Sequence, residues 1–321
     1  MLIPVLLFLL GLVLLIKGGD WFVDGATGVA HRFHIPELLI GATVVSIGTT
    51  LPEVMVSATS ALSGHGEMAY GNAIGSIICN TALIAALTVA IRPPKVEGRS
   101  LLAPVAFFFG AALLYAGVAC TAGYFSRAVG VVLLLVFAAY MYLTVRESLR
   151  PSGQRAAVDA PGEQRDFPSD LFLLVAGAAI IAIGARLLVD NGTKIAQWLG
   201  VPESVIALTF VALGTSLPEL VTAITSLVKG HGALSLGNVI GANLFNLVLV
   251  SGVSVTLSPF AVPAGKTIAG VNASLAVDLP LVFAAMGFLT IPAILRGKLE
   301  RWQGVTLLAV YAAYCVFQFA A

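Results

Sequence analysis

Apolar residues run through this chain in long blocks, interrupted by short polar stretches. A membrane-crossing helix needs roughly 20 mostly apolar residues. On that rule the pattern predicts ten of them, at 3–30, 36–62, 69–91, 100–120, 124–146, 168–197, 202–228, 235–258, 273–295 and 301–320. The first and sixth are long, which predicts tilt. The opening block MLIPVLLFLLGLVLLI has no Lys or Arg before it and no small-residue cleavage site after it. It is therefore expected to be a retained first helix and not a signal peptide. One connection is long and polar, ESLRPSGQRAAVDAPGEQRDFP at 147–168. It is too short for a domain and reads as a linker, dividing the chain into 1–150, 151–167 and 168–321.

Composition sharpens this picture. Of the 321 residues 59% are hydrophobic and only 10% charged, and the mean hydropathy is +0.99. Soluble domains are about a quarter charged, so the chain is expected to be an all-α, polytopic membrane protein. A net charge of +1 makes no case for nucleic-acid binding, and no obligate protein partner is evident beside the lipid bilayer. Cys79, Cys120 and Cys315 lie far apart in apolar runs, without metal or disulfide spacing, and read as packing residues.

Lys and Arg sort by side. One side collects Arg32, Arg92, Lys95, Arg99, Arg146, Arg150, Arg155, Arg165, Lys229, Arg296, Lys298 and Arg301; the other only Arg127, Lys194 and Lys266. The rich side is expected to be cytoplasmic. That predicts a multi-pass protein of the cell (inner) membrane, with both termini outward and the linker 147–168 inside.

The chain also matches itself at a shift of 166 residues. Of the 45 positions in 36–80, 20 are identical to 202–246, among them Pro36/Pro202, Thr43/Thr209, Gly48/Gly214, Pro52/Pro218, Glu53/Glu219 and Asn80/Asn246. GTTLPE at 48–53 answers GTSLPE at 214–219, and GNAIG at 71–75 answers GNVIG at 237–241. Each half holds five predicted spans. Five is odd, so the second half is expected to enter the membrane from the opposite side, as in carriers with a central site.

The repeated polar residues have helical spacing. Ser46, Thr49, Thr50 and Glu53 share a face, as do Ala212, Thr215, Ser216 and Glu219. Asn72, Ser76 and Asn80 form a second stripe, repeated as Asn238, Ala242 and Asn246. Pro52 and Pro218 lack an N–H and are expected to leave the carbonyls of Gly48 and Gly214 without helical partners, breaking both helices. The glycine pairs Gly71/Gly75 and Gly237/Gly241 predict close helix contacts. Carboxylates, hydroxyls, amides and carbonyls are hard oxygen ligands suited to Na⁺ and Ca²⁺, and two carboxylates balance one Ca²⁺ or two Na⁺. The absence of imidazole and thiolate from these stripes disfavours zinc, copper and iron. No nucleophile–base pair lies in them either, so no enzyme is expected. Thr43 and Thr209 are read as bonding backbone carbonyls, His65 and His231 as turn residues, and Asp24 and Asp190 as either packing or ion-access residues.

The paired GTTLPE and GTSLPE motifs, each followed by GN-x-I-G and an Asn, resemble the α-repeats of the sodium/calcium exchanger (cation/Ca²⁺ antiporter) family in its compact prokaryotic form. The resemblance covers essentially the whole chain. It implies ten helices in two inverted five-helix repeats, a first and sixth helix that slide over a fixed core, and exchange of Na⁺ for Ca²⁺ by alternating access. The alternative is a Ca²⁺/H⁺ exchanger of the same superfamily. No cofactor is implied; the ions are cargo. By position the coordinating set falls on Ser46, Thr49, Thr50, Glu53, Ser76 and Asn80, and on Ala212, Thr215, Ser216, Glu219, Ala242 and Asn246. Positions 46 and 212 are expected to act through backbone carbonyls. Some members carry an acid at the position of Asn246 and a hydroxyl at that of Ala242; this chain has neither.

Overall fold

The structure, a computed structural model, describes residues 2–33, 35–148, 166–199, 214–264, 267–268 and 270–320. The apolar blocks form helical rods α1 (Leu2–Arg32), α2 (Glu37–Leu62), α3 (Gly66–Ile91), α4 (Gly98–Thr121) and α5 (Arg127–Ser148) in the first half. The second half has α6 (Phe167–Trp198), α7 (Leu217–Val228), α8 (Gly232–Leu257), α9 (Ser274–Arg296) and α10 (Arg301–Ala320). Eight are long and apolar enough to cross a membrane; α7, as described, has 12 residues and α10 has 20. The first part of the expected 202–228 span lies outside the described residues, as do most of the linker, Thr209 and Ala212.

Two-residue strands complete the outline. Tyr124–Phe125 pairs antiparallel with Phe260–Ala261, joining the α4–α5 and α8–α9 connections. The α2–α3 and α7–α8 turns match as well, each passing through a glycine with positive φ, Gly64 at 82° and Gly230 at 88°. A side chain there would be strained.

Burial separates centre from periphery. In their most apolar stretches α3 and α8 are 72% and 83% buried, against 22% for α1 and α5 and 28% for α6. The central helices therefore meet protein on nearly all sides, while the outer ones turn Leu and Val outward. α1 and α6 pack chiefly on each other, along a seam of glycines. A Cβ at Gly11 would lie 2.8 Å from Gly184 O, one at Gly25 2.4 Å from Leu174 N, and one at Gly177 2.5 Å from Phe22 N. Small residues let the two backbones touch where larger ones could not. Behind this seam Phe22, Val23, Ala26, Leu174 and Ile181 form an apolar cluster of their own, separate from the main core.

The expected glycine contacts divide. Gly237 and Gly241 of α8 press on α2, where added Cβ atoms would meet Leu38 O at 2.1 Å and Ala42 Cα at 2.6 Å. Nothing described lies within 4 Å of a Cβ at Gly71 or Gly75. Their repeat-matched neighbours, 204 and 208, fall outside the described residues.

The expectation of a proline-broken helix needs correction for α2; the stretch that precedes Pro218 beyond Gly214 lies outside the described residues. α2 stays helical through Pro52 and departs from α geometry earlier, in a π turn at Gly41–Val45. Its Ala42 carbonyl accepts the Tyr140 hydroxyl at 3.0 Å, and its Gly41 carbonyl accepts Ser46 Oγ at 2.7 Å. Pro218 sits in the first turn of α7, where no N–H is required. The Gly214 carbonyl is not orphaned: Leu217 N–H reaches it at 3.4 Å. Further π turns fall at the matched stretches Asn80–Ala85 and Asn246–Val250.

Candidate functional site

α2 and α7 deliver the GTTLPE and GTSLPE segments, and α3 and α8 deliver the asparagines. Ser46, Thr49, Thr50, Glu53, Ser76, Asn80, Ser216, Glu219, Ala242 and Asn246 are all buried, and Thr215 is partly so. Asn80 and Asn246 each open a π turn, a distortion frequent at functional sites. The Glu53 and Glu219 carboxylates lie close enough to repel each other, and Glu219 faces the Thr49 and Thr50 side chains.

The polar atoms here are unusually short of partners. Both carboxylate oxygens of Glu53 and of Glu219, both amide atoms of Asn80 and of Asn246, Thr50 Oγ1 and Ser216 Oγ have no hydrogen-bond partner among the described residues. A buried carboxylate costs several kcal/mol when uncompensated, and a buried polar group without a partner about 1–3 kcal/mol. Of these ten atoms eight are oxygens free to face a cation, and two are the amide nitrogens of Asn80 and Asn246. The eight oxygens come from carboxylates, hydroxyls and amides, a donor set that suits a hard cation. Among the described residues no three His, Cys, Asp or Glu side chains converge as a metal cluster.

The partnered atoms show how the halves interlock. Thr49 Oγ1 donates to Asn238 Oδ1 at 3.2 Å, and Thr215 Oγ1 donates to Asn72 Oδ1 at 3.3 Å. These are the same contact under the 166-residue shift, made in both directions. Ser46 Oγ also reaches Asn238, at 2.9 Å from its carbonyl oxygen. Asn72 Nδ2 donates to Ser57 Oγ at 2.8 Å and to Glu53 O at 3.3 Å.

Comparison with known proteins now decides the family. The sodium/calcium exchanger protein family matches residues 3–146 and 169–320. The chain belongs to this family. It is 35% identical to an uncharacterized membrane protein of Methanocaldococcus jannaschii, over 95% of this chain and 94% of that one. It is 30% identical to the sodium/calcium exchanger MaX1 of Methanosarcina acetivorans, over 98% of each. Among solved structures, the sodium-calcium exchanger NCX_Mj soaked with 2.5 mM Na⁺ and 0.1 mM Ca²⁺ superposes with a TM-score of 0.79 at 34% identity, covering 98% of this chain and 97% of that one. An exchanger family is one of transporters, so this is a multi-pass membrane protein that antiports cations.

Around the exchanger's central cluster the structure adds residues that the repeat pattern missed. Asn243 Nδ2 donates to Thr81 Oγ1 at 2.7 Å between α8 and α3; its repeat counterpart is Ile77, so no match flagged it. Thr222 and Ser226 continue the Glu219 face of α7, buried and without described partners. The counterpart of Thr222 is the apolar Val56, whereas Ser226 matches Ser60. Cys79, read as packing, lies beside Ser216 and Tyr311 and within electrostatic reach of both glutamates. Other expected residues lie elsewhere. Thr43 bonds the Leu39 carbonyl at 2.7 Å, as its sequence reading has it. Asp24 pairs with Lys229 at 2.7 Å, and exposed Asp190 with Arg186 at 3.7 Å. His231 occupies the turn before α8, as expected, but it also joins Glu37 at 2.7 Å.

Proposed function

We propose that this exchanger moves Na⁺ against Ca²⁺ by alternating access at the buried Glu53–Glu219 cluster. The observation that carries the reading is the pair of buried glutamates whose four carboxylate oxygens lack hydrogen-bond donors among the described residues. Two carboxylates supply −2, which one Ca²⁺ or two Na⁺ neutralises. An empty site keeps two repelling charges in a low dielectric and resists rearrangement, so exchange is coupled. The ligand set is Ser46, Thr49, Thr50, Glu53, Ser76 and Asn80 with Ala212, Thr215, Ser216, Glu219 and Asn246, Ser46 and Ala212 acting through their carbonyls. Ala242 adds no oxygen of its own side chain. Unpartnered hydroxyls on Thr50 and Ser216 favour sodium over a proton as the coupling ion, because a proton needs only one carboxylate oxygen.

The architecture we propose around this site has ten spans in two inverted repeats, 1–150 and 168–321, joined by a cytoplasmic linker at 151–167, with outward termini in the inner membrane. The reciprocal Thr49–Asn238 and Thr215–Asn72 bonds support the inversion. The glycine seam between α1 and α6 supports a pair that slides as one unit over the core.

The test is ⁴⁵Ca²⁺ uptake into proteoliposomes loaded with Na⁺, with choline at the same pH, or with an acid interior. Uptake is expected only with internal Na⁺, and is expected to be lost in Glu53→Gln and Glu219→Gln. Uptake driven by the acid interior alone would move the protein to proton coupling. Absence of uptake in every arm would overturn calcium exchange.

A further inference from the structure

The two asparagines of the GN motifs are doing something different from the ligand set. Asn72 and Asn238 are equivalent under the repeat, and each reaches the threonine of the opposite half. What they share is narrow. Asn72 Nδ2 is anchored by Ser57 Oγ and the Glu53 carbonyl. Asn238 Nδ2, fully buried where Asn72 is half-buried, has no partner among the described residues, and Ala223 stands where Ser57 does in the first half. The amide nitrogens therefore differ, while the carbonyl-to-threonine contact is kept in both.

Hydroxyl chemistry explains why that contact matters to a cation carrier. A threonine hydroxyl has one proton and two lone pairs. A cation is attracted by a lone pair and repelled by the proton, so the proton has to be directed away from it. In an α-helix the default acceptor is a carbonyl of the preceding turn, and for Thr49 that acceptor, Ser46 O, is at 3.5 Å. Asn238 Oδ1 is nearer at 3.2 Å; the Glu219 carboxylate, which Thr49 also faces, is taken up by the cation when the site is filled. Ser46 Oγ has closer acceptors in Gly41 O at 2.7 Å and Asn238 O at 2.9 Å, which leaves Oδ1 to Thr49. An amide carbonyl takes the proton without adding a charge, so the balance of two carboxylates is unchanged.

We infer that Asn72 and Asn238 are positioning residues for ion binding. Each accepts the hydroxyl proton of the opposing repeat's threonine and so turns that oxygen's lone pairs toward the transported cation. Neither is an ion ligand itself. The assignment rests on the proposal that Thr49 and Thr215 coordinate the cargo. It also makes each half-site depend on the other repeat, since the group that orients Thr49 comes from α8 and the one that orients Thr215 from α3.

A double-mutant cycle on the full chain in Na⁺-loaded proteoliposomes tests it, reading the Ca²⁺ half-saturation concentration and the maximal rate separately. Asn238→Ala is expected to raise half-saturation by about tenfold, the size of one hydrogen bond to a charged site, with the maximal rate within about twofold. In a Thr49→Val background, which has no hydroxyl to orient, the same substitution is expected to add less than about twofold. Asn72→Ala with Thr215→Val repeats the cycle in the other half. Thermal unfolding without ions reports on folding, and Asn238→Leu, closer in shape, replaces Asn238→Ala if the latter does not fold. An equal penalty with and without Thr49, a fall confined to the maximal rate, or no penalty would overturn the assignment. A wild-type protein with no Na⁺-driven Ca²⁺ uptake would overturn the exchange reading itself.

Discussion

At the scale of single residues, the site is a problem of unsatisfied charge. Glu53 and Glu219 are buried with no donor to their carboxylates among the described residues, so each depends on a cation or a proton for compensation. Replacing either by Gln keeps the shape and removes one charge. Each substitution is expected to weaken Ca²⁺ binding on the order of a hundredfold, equivalent to roughly 3 kcal/mol, as measured by calcium titration of the purified protein. The same substitutions are expected to raise the thermal stability of the ion-free protein, because a buried charge is removed. A fall in ion-free stability would mean that the carboxylates are held by protein donors instead. The glutamates, the threonines and Asn80/Asn246 were legible in the sequence because identical polar residues recur in apolar surroundings 166 positions apart. Asn243 and Thr222 were not, because their counterparts Ile77 and Val56 are apolar.

At the scale of elements, two features control how α1 and α6 sit on the core. One is the glycine seam. Gly25 and Gly177 have backbone atoms of the partner helix within 2.6 Å of any added Cβ, which no rotamer can relieve. Gly177→Val is expected to destabilise the protein by about 1–3 kcal/mol and to slow exchange more than it changes half-saturation, read by thermal unfolding and by uptake rates. The other is the short turn between α7 and α8. Lys229 Nζ lies 2.7 Å from Asp24 Oδ1, 3.4 Å from Asp20 Oδ1 and 3.0 Å from the Asp20 carbonyl, all on α1. Two residues on, His231 meets Glu37 at the start of α2. Hydrogen bonding to Glu37 holds the His231 pKa above its ordinary value, with Asp24 also raising it and burial and Lys229 opposing. A raised histidine pKa means that the pair stabilises fully at pH below the unfolded value near 6.5 and that this is lost as pH rises through the folded value. The stability difference between the wild type and His231→Gln is therefore expected to be largest in acid and to shrink toward alkaline pH. Thermal unfolding across pH measures it, and a difference independent of pH would contradict the ion pair.

At the scale of the whole molecule, topology and orientation become testable. The proposed topology puts Arg99, in the first turn of α4, and Arg127, at the start of α5, on opposite faces of the membrane. In a background without Cys79, Cys120 and Cys315, Arg127→Cys is expected to react with an impermeant thiol reagent added to intact cells, and Arg99→Cys only after the membrane is opened. The opposite pattern would reverse the orientation. Helix positions were read from the sequence to within a few residues for most rods, because the apolar length of a membrane helix is set by the bilayer and needs no partner to define it.

The sequence alone therefore determined what depends on local composition and on self-similarity: an all-α membrane protein, the placement of its helices, the repeat, and the polar residues that recur in both halves. Tertiary structure decided what depends on contacts between distant segments. It moved the distortion of α2 from Pro52 to a π turn whose carbonyl is satisfied by Tyr140. It crossed Thr49 with Asn238 and Thr215 with Asn72, and it turned Lys229 and His231 from loop residues into ties to α1 and α2. Helix periodicity says which residues share a face, but a hydrogen bond between residues 189 positions apart exists only once the chain has closed on itself.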